Sequence, residues 1–297
     1  MWRRHEPLAG RTTFGVGGPA EWFATPETEE ECAAAWREAQ GQGWRTRVLG
    51  GGSNLLIADE GVSGAVLCTR RLRPQQAALA GVVVRISAGA PLPALVAQAA
   101  KAGWSGLEFL AGVPGLAGGA ACMNAGGHAR AFGELVQTVR VVDREGRLST
   151  RRGRDIPWRY RSWGLDDPVI LGVELRLAVS SPEQVAAATR AALERKRKVQ
   201  PLGWRSAGCV FRNLPDASAG RLLDEAGLKG ARIGGAAISE KHANFVVNVG
   251  GATAADIAAL IRLARNKVLE RTGRTLQLEI HSWPGGLLSS GGEPEEV

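Results

Sequence analysis

The segment Gly112-Val113-Pro114-Gly115-Leu116-Ala117-Gly118-Gly119-Ala120-Ala121-Cys122-Met123-Asn124-Ala125-Gly126-Gly127 constrains the fold of this 297-residue chain more than any other stretch. Small residues fill nearly every position, so the run has little bulk with which to build a core. It also lacks the polar, serine-rich composition of a flexible linker. Two arrangements suit it: a tightly packed turn between elements, or a backbone surface against which a large flat ligand lies. A second glycine loop, Val48-Leu49-Gly50-Gly51-Gly52-Ser53-Asn54-Leu55-Leu56, follows a strand signal. Its glycines let backbone approach a ligand closely and expose successive N–H groups, which attract phosphate; a flexible turn is the alternative. It has neither the G-x-G-x-x-G spacing that opens a helix nor the G-x-x-x-x-G-K-[ST] pattern, so the Rossmann and P-loop readings do not apply.

Composition narrows the classes. Apolar residues make up 44% and charged residues 22%, as in a soluble globular protein. No stretch approaches the roughly 18 apolar residues of a membrane span. The opening Met1 to Pro7 has basic residues without an apolar core after them, unlike a signal peptide. Cys32, Cys68, Cys122 and Cys209 are scattered, with no C-x-x-C pair and no histidine at ligand spacing, so neither a disulfide framework nor a metal site is expected. A cytoplasmic location follows. The net charge of +8 suits polyanionic partners, either nucleic acid or phosphate-bearing small molecules. Dispersed arginines, 5% aromatics and no RNA-binding signature argue against nucleic acid. The basic run Arg195 to Lys198 sits where a helix should end, and reads as a solvated face complementing the helix dipole.

Capping patterns predict helices after Thr28, over Leu92–Ala102, from Ser181-Pro182 to about Lys198, and after Thr253 as far as Gly273. Strands are predicted at 45–49, 65–68, 82–88, 136–142, 148–152, 169–177, 209–212, 245–249 and 276–280, with a hairpin turn at Asp143 to Gly146. The class is α+β, without a regular alternation of strand and helix. A boundary is expected near 180–200, and residues 284–297 read as a disordered tail.

Taken in order, these motifs resemble the UDP-N-acetylenolpyruvoylglucosamine reductase family of bacterial cell-wall synthesis. The resemblance spans about residues 7–283: Leu8 to Phe14, Val16 to Ala20, both glycine loops, Tyr160-Arg161, Gln200-Pro201-Leu202, Ser206 to Asn213, Ala219 to Leu222, Gly227 to Gly230 and Ser239 to Phe245. It implies a two-part FAD-binding domain of the vanillyl-alcohol-oxidase type over 1–180 (about 1–63 and 64–180), then an α+β substrate-binding domain over 181–283. It further implies non-covalent FAD, NADPH as hydride donor and a UDP-sugar substrate, with no membrane, nucleic-acid or obligate protein partner. None of the four histidines lies in either glycine loop, where a covalent tether would be expected. Gly50, Gly51, Gly52, Ser53, Asn54, Gly112, Val113, Pro114, Gly115, Gly118, Gly119 and Asn124 would hold the FAD.

The implied chemistry is hydride addition to an enolpyruvyl double bond, leaving negative charge at C2 that spreads into the carboxylate. Such a site needs a cation, an acid group and a proton donor. The resemblance assigns these roles to Arg161, Glu279 and Cys209. Read without the resemblance, each has a plain alternative: a surface arginine, a solvent-facing glutamate, a buried cysteine. Serine is usual in the family where Cys209 stands; a thiol, with a reference pKa near 8.5, is a far stronger acid than an alcohol and can still supply the proton. Tyr160, Arg212, Asn213 and Lys241 fall at substrate-contact positions. Trp163 stands where the family commonly has a small polar residue, which puts the contacts beside Arg161 in question. Tyr160 is the only tyrosine, so the chain matches the shorter form of the family, without a tyrosine loop closing over the substrate. Two other readings stay open: an oxidase of the same fold acting on a sugar or lactone, and a flavin-binding relative that has lost activity.

Overall fold

The computed structural model describes residues 2–73, 83–127 and 130–288. In chain order the elements are β1 (Arg3–Pro7), β2 (Pro19–Ala24), α1 (Glu29–Gly41), β3 (Thr46–Leu49), β4 (Leu55–Ile57), β5 (Val62–Cys68), β6 (Val83–Ser87), α2 (Leu92–Ala102), β7 (Trp104–Ser105), α3 (Ala117–Cys122), β8 (Val136–Val142), β9 (Leu148–Arg152), β10 (Val169–Arg176) and β11 (Ala178–Val179). There follow α4 (Pro182–Val199), α5 (Ala219–Glu225), β12 (Arg232–Ile233), β13 (Ala236–Ile238), β14 (Val246–Asn248), α6 (Ala254–Thr272) and β15 (His281–Trp283). Contacts divide the chain into two discontinuous units. One comprises residues 1–4, 22–51 and 64–196; the other comprises 5–21, 52–63 and 197–297.

In the first unit, α1 starts where the Thr28 hydroxyl accepts from the Glu31 N–H at 3.1 Å, and three glutamates in its first turn complement the dipole. Helix α2 ends at Gly103, whose φ of +71° is the left-handed cap expected there. Strand β10 lies between β6 and β8 in an antiparallel sheet of order β6-β10-β8-β9. The β8–β9 hairpin closes through Asp143, whose backbone N–H donates to Arg147 O at 3.0 Å. In the same unit β3 pairs in parallel with Ala65–Cys68 of β5. The core gathers α1 (Cys32, Ala35, Trp36), α2 (Leu92, Leu95, Val96), α3 (Ala117, Ala120, Ala121) and the inner faces of β8 and β10.

In the second unit, α6 has a full capping box between Thr253 and Asp256, and the Asp59 carboxylate accepts from Ala254 N–H at 2.8 Å and Ala255 N–H at 2.9 Å. Ile257, Leu260, Ile261, Ala264 and Val268 form its buried stripe, and Gly273 ends it in the left-handed region. Against this stripe packs the antiparallel β12-β13-β14 sheet, while β4 and β15 pair in parallel.

Four differences from the sequence expectations matter. The segments 209–212 and 276–280 are not continuous strands; they join their neighbours through single bridges, Cys209 to Phe245 and Phe211 to Leu278. Part of the second glycine run is helical, as α3, because its small side chains let it lie close on β6 and β10. The short α5, capped by Ser218, was masked by its length, below what periodicity detects. Within the tail, 289–297 lie outside the described residues, but 284–288 are placed: Leu288 is 1% exposed in the second core and Arg262 Nη1 donates to Leu287 O at 2.9 Å. Among the described residues no helix is long and apolar enough to cross a membrane, and no cluster of His, Cys, Asp and Glu is arranged to hold a metal ion.

Candidate active site

The first unit contains Gly50, Gly51, the second glycine loop, Asn124 and the Tyr160-Arg161 pair. Gly51 is required by close packing: a Cβ there would lie 2.7 Å from Gly115 Cα. Gly118 is required likewise, since its Cβ would lie 2.7 Å from the Ala88 side chain. Gly50 and Gly119 are different, for nothing lies within 4 Å of a Cβ built on either. Packing explains the first pair; at the second the backbone is open to close approach. Between them, Gly112 adopts φ +77°, Val113 N–H donates to Leu110 O at 2.9 Å, Pro114 is exposed and Gly115 O accepts from Leu92 N–H at 2.9 Å. The loop is thereby held along its length by backbone bonds and close packing, while Pro114 and Gly119 stay exposed, backbone that a flat cofactor such as FAD can approach. Gly51→Ala should abolish FAD uptake and lower stability by about 1–3 kcal/mol, an overpacking penalty against backbone. Flavin content of the purified variant and its denaturant midpoint measure both effects.

Asn124 is 8% exposed with φ +40°. Its Oδ1 accepts from Gly133 N–H at 2.8 Å and its Nδ2 donates to Arg159 O at 3.0 Å. It therefore ties the end of α3 to the turn that carries the next pair of site residues. That turn is Arg159-Tyr160-Arg161-Ser162, closed by Arg159 N–H to Ser162 O at 2.9 Å. Arg161 occupies the left-handed region at φ +57°, unusual for a non-glycine residue and typical of backbone held for a function. Its Nη1 donates to Gly126 O at 2.9 Å, and its guanidinium lies 4.8 Å from the centroid of the half-exposed Tyr160 ring. Trp163 does not compete for this surface. It is 5% exposed in the core, and its N–H donates to Cys122 O at 3.0 Å, anchoring the turn to α3.

The second unit holds Gly52, Ser53, Asn54, Cys209, Arg212, Asn213, Lys241 and Glu279. Gly52 is buried, its carbonyl accepting from Thr13 N–H at 3.0 Å; Ser53 beside it is half-buried. Asn54 Nδ2 donates to Glu279 O at 3.0 Å, and Asn54 O accepts from His281 N–H at 3.0 Å, so this loop residue pins the segment bearing the glutamate. That segment in turn pairs with the one bearing the cysteine: Glu279 N–H donates to Val210 O at 2.7 Å and Arg212 N–H to Gln277 O at 2.9 Å. Cys209 and Glu279 are thus brought onto adjacent stretches of chain, and both are half-buried. A Cβ on Gly208, just before the thiol, would meet nothing within 4 Å. Cys32, by contrast, is sealed in the first core, where burial pushes its thiol up to about 12.

Arg212 brings an unsatisfied donor to this unit. Its Nε is buried without a hydrogen-bond partner among the described residues, a costly state that an anionic acceptor relieves. Asn213 and Lys241 are exposed and partly committed to the protein. Asn213 Oδ1 accepts from Ala219 N–H at 3.0 Å, next to the start of α5, and Lys241 Nζ donates to Arg197 O near the end of α4.

Asn244 was not anticipated as a site residue, although it lies inside one of the quoted motifs. It is 2% exposed, and its amide grips both backbone groups of Phe211: Oδ1 accepts at 2.9 Å and Nδ2 donates at 2.8 Å. Its own carbonyl accepts from Val210 N–H at 2.9 Å. The bridges on either side of Cys209 are isolated, so this one side chain replaces the ladder a full strand would provide. Only its three-dimensional partner reveals that role.

Comparison with known proteins places the chain in a family. Residues 20–151 match the FAD binding domain family model, and residues 200–283 match that of the C-terminal domain of UDP-N-acetylenolpyruvoylglucosamine reductase. A UDP-N-acetylenolpyruvoylglucosamine reductase of Acaryochloris marina is 43% identical over 276 residues, covering 92% of this chain and 90% of the relative. One from Moorella thermoacetica is 43% identical over 284 residues, covering 95% and 93%. The crystal structure of the Thermus caldophilus reductase superimposes with a TM-score of 0.80 at 39% identity, covering 96% of this chain and 98% of that one. The chain belongs to the UDP-N-acetylenolpyruvoylglucosamine reductase family.

Proposed function

We propose that this protein is a FAD-dependent reductase that converts UDP-N-acetylenolpyruvoylglucosamine to UDP-N-acetylmuramate with NADPH, a step of peptidoglycan precursor synthesis carried out in the cytoplasm. The observation that carries the reading is similarity along nearly the whole chain, 95% of it against the Moorella relative, through both the FAD-binding and the C-terminal family models. In this reading the FAD-binding domain occupies about 1–180 and the substrate-binding domain 181–283.

The chemistry supplied by FAD, when bound, is hydride transfer from NADPH to C3 of the enolpyruvyl group. The chain supplies the rest. Gly50, Gly51, Gly52, Ser53 and Gly112 to Gly119 cradle the cofactor with backbone, the open faces of Gly50 and Gly119 receiving it. Asn54 and Asn124 complete that cradle, their side chains steadied by bonds to Glu279 O and Arg159 O. Arg161 holds the substrate carboxylate, where a planar guanidinium can pair with both oxygens as charge builds up. Glu279 is the acid group that stabilises the same charge. Cys209 keeps a proton on Sγ and delivers it to C2, completing the addition of hydride and proton across the double bond. Arg212, Lys241, Asn213 and Tyr160 bind the UDP-sugar, the buried Arg212 Nε taking an anionic oxygen.

The test is steady-state turnover without oxygen. NADPH consumption should depend on UDP-N-acetylenolpyruvoylglucosamine, and mass spectrometry should find a product heavier by two hydrogens. NADPH consumption that ignores the UDP-sugar and proceeds only with oxygen would refute the reading.

A further inference from the structure

The basic run at the end of α4 is not uniformly solvated. Arg195, Arg197 and Lys198 are exposed, but Lys196, the last residue of the first unit, is half-buried within it. Its Nζ donates to Phe109 O at 2.9 Å and to Ala111 O at 2.8 Å. Burial pulls the ammonium down from its usual range to about 8, with no carboxylate contributing. A lysine so placed costs free energy unless its donors serve something.

What they serve follows from the carbonyls of the turn that precedes Gly112. Leu107 O accepts from Leu110 N–H at 3.0 Å, Glu108 O from Ala111 N–H at 3.1 Å and Leu110 O from Val113 N–H at 2.9 Å. Among the described residues no backbone N–H is recorded on Phe109 O or Ala111 O, and Lys196 takes both. The next residue is Gly112 at φ +77°, where the glycine loop begins. The lysine thus closes the hydrogen bonding at the root of that loop, leaving no carbonyl from 107 to 111 without a donor.

We propose that Lys196 is a positioning residue for FAD, holding the root of the Gly112–Gly119 loop in its binding conformation from α4 without touching the cofactor. The proposal rests on the reading that this loop cradles FAD. Removing the ammonium leaves two carbonyls of the turn unpaired, so the turn relaxes and the loop must be ordered at the expense of cofactor affinity.

Apoprotein titrated with FAD, read by flavin fluorescence and by visible circular dichroism of the bound flavin, tests this. Lys196→Met should raise the FAD dissociation constant by about tenfold or more and alter the visible band, with the KM for the UDP-sugar unchanged. Lys198→Met, two residues along the same helix, should match the parent. Lys196→Arg keeps enough donors for both carbonyls and should bind within about threefold of the parent; a Lys196→Arg variant as weak as Lys196→Met would reject hydrogen bonding as the cause. If Lys196→Met does not fold, Lys196→Leu, which likewise has no donor, decides: parent-like affinity overturns the proposal, and weakened affinity upholds it. A folded Lys196→Met variant with parent-like affinity and spectrum overturns it too, even if its apoprotein melts at a lower temperature. A parent protein that takes up no FAD overturns the flavin reading and this proposal together, so the two failures are distinct.

Discussion

Replacing Cys209 with alanine is expected to leave bleaching of the flavin by NADPH within about twofold of the parent, and to slow its reoxidation by the UDP-sugar by about 10²- to 10⁴-fold, the contribution of a positioned general acid. The two half-reactions separate because only the second requires a proton at C2 of the substrate. The local structure makes the comparison clean. Cys209 is half-buried, and the backbone around it is held by Asn244 and by the Glu279 N–H to Val210 O bond, none of which involves the thiol. Loss of the sulfur should therefore leave the fold in place. Cys209→Ser restores a proton-bearing group of similar size and should recover most of the rate. Stopped-flow absorbance on the three proteins measures both steps. Equal reoxidation in Cys209→Ala and the parent would remove this residue from the mechanism.

Arg161→Ala should have an effect of similar size, about 10²- to 10³-fold on reoxidation by substrate, if the guanidinium takes the carboxylate role proposed for it, because a preorganised charge then stabilises the developing anion. Here the backbone provides an internal control. Arg161 sits at φ +57°, where alanine retains the strain and glycine does not. Arg161→Gly should therefore be more stable than Arg161→Ala by about 1 kcal/mol while being equally slow. That outcome separates the guanidinium's chemistry from the geometry of its turn. If Arg161→Gly recovered activity, the strained turn and not the charge would be the functional feature. Arg161→Lys should remain impaired, since an ammonium cannot match the planar pairing with a carboxylate.

Both predictions concern residues that only the motifs single out, whereas much of the scaffold was legible from local physics. Thr28, Gly103, Thr253 and Gly273 mark helix ends because caps are satisfied within a few residues of chain, and all four cap as expected. The alternation in Val136–Val142 and Leu148–Arg152 marks a hairpin for the same reason. What escaped depends on partners distant in sequence. The segments around Cys209 and Glu279 have strand-like composition, yet each finds only isolated bridges, with order supplied by Asn244 across the fold. The glycine run left two arrangements open, and the structure shows the packed one at Gly118, against Ala88, while Gly119 faces open space. Lys196 belonged to a run of four cations that charge patterning treats alike, and only its contact with the turn at 109–111 sets it apart. Trp163, a departure that placed the arginine's surroundings in question, is a core residue that steadies the turn.

The central claim is that one protein couples oxidation of NADPH to reduction of an enolpyruvyl UDP-sugar through bound FAD. Anaerobic stopped-flow on the purified holoprotein tests it most directly: the flavin is bleached with NADPH, then mixed with UDP-N-acetylenolpyruvoylglucosamine while its visible absorbance is followed. The account predicts rapid return of the oxidised spectrum without oxygen, with UDP-N-acetylmuramate formed in step. A flavin that stays bleached under substrate and recovers only when oxygen is admitted would contradict it.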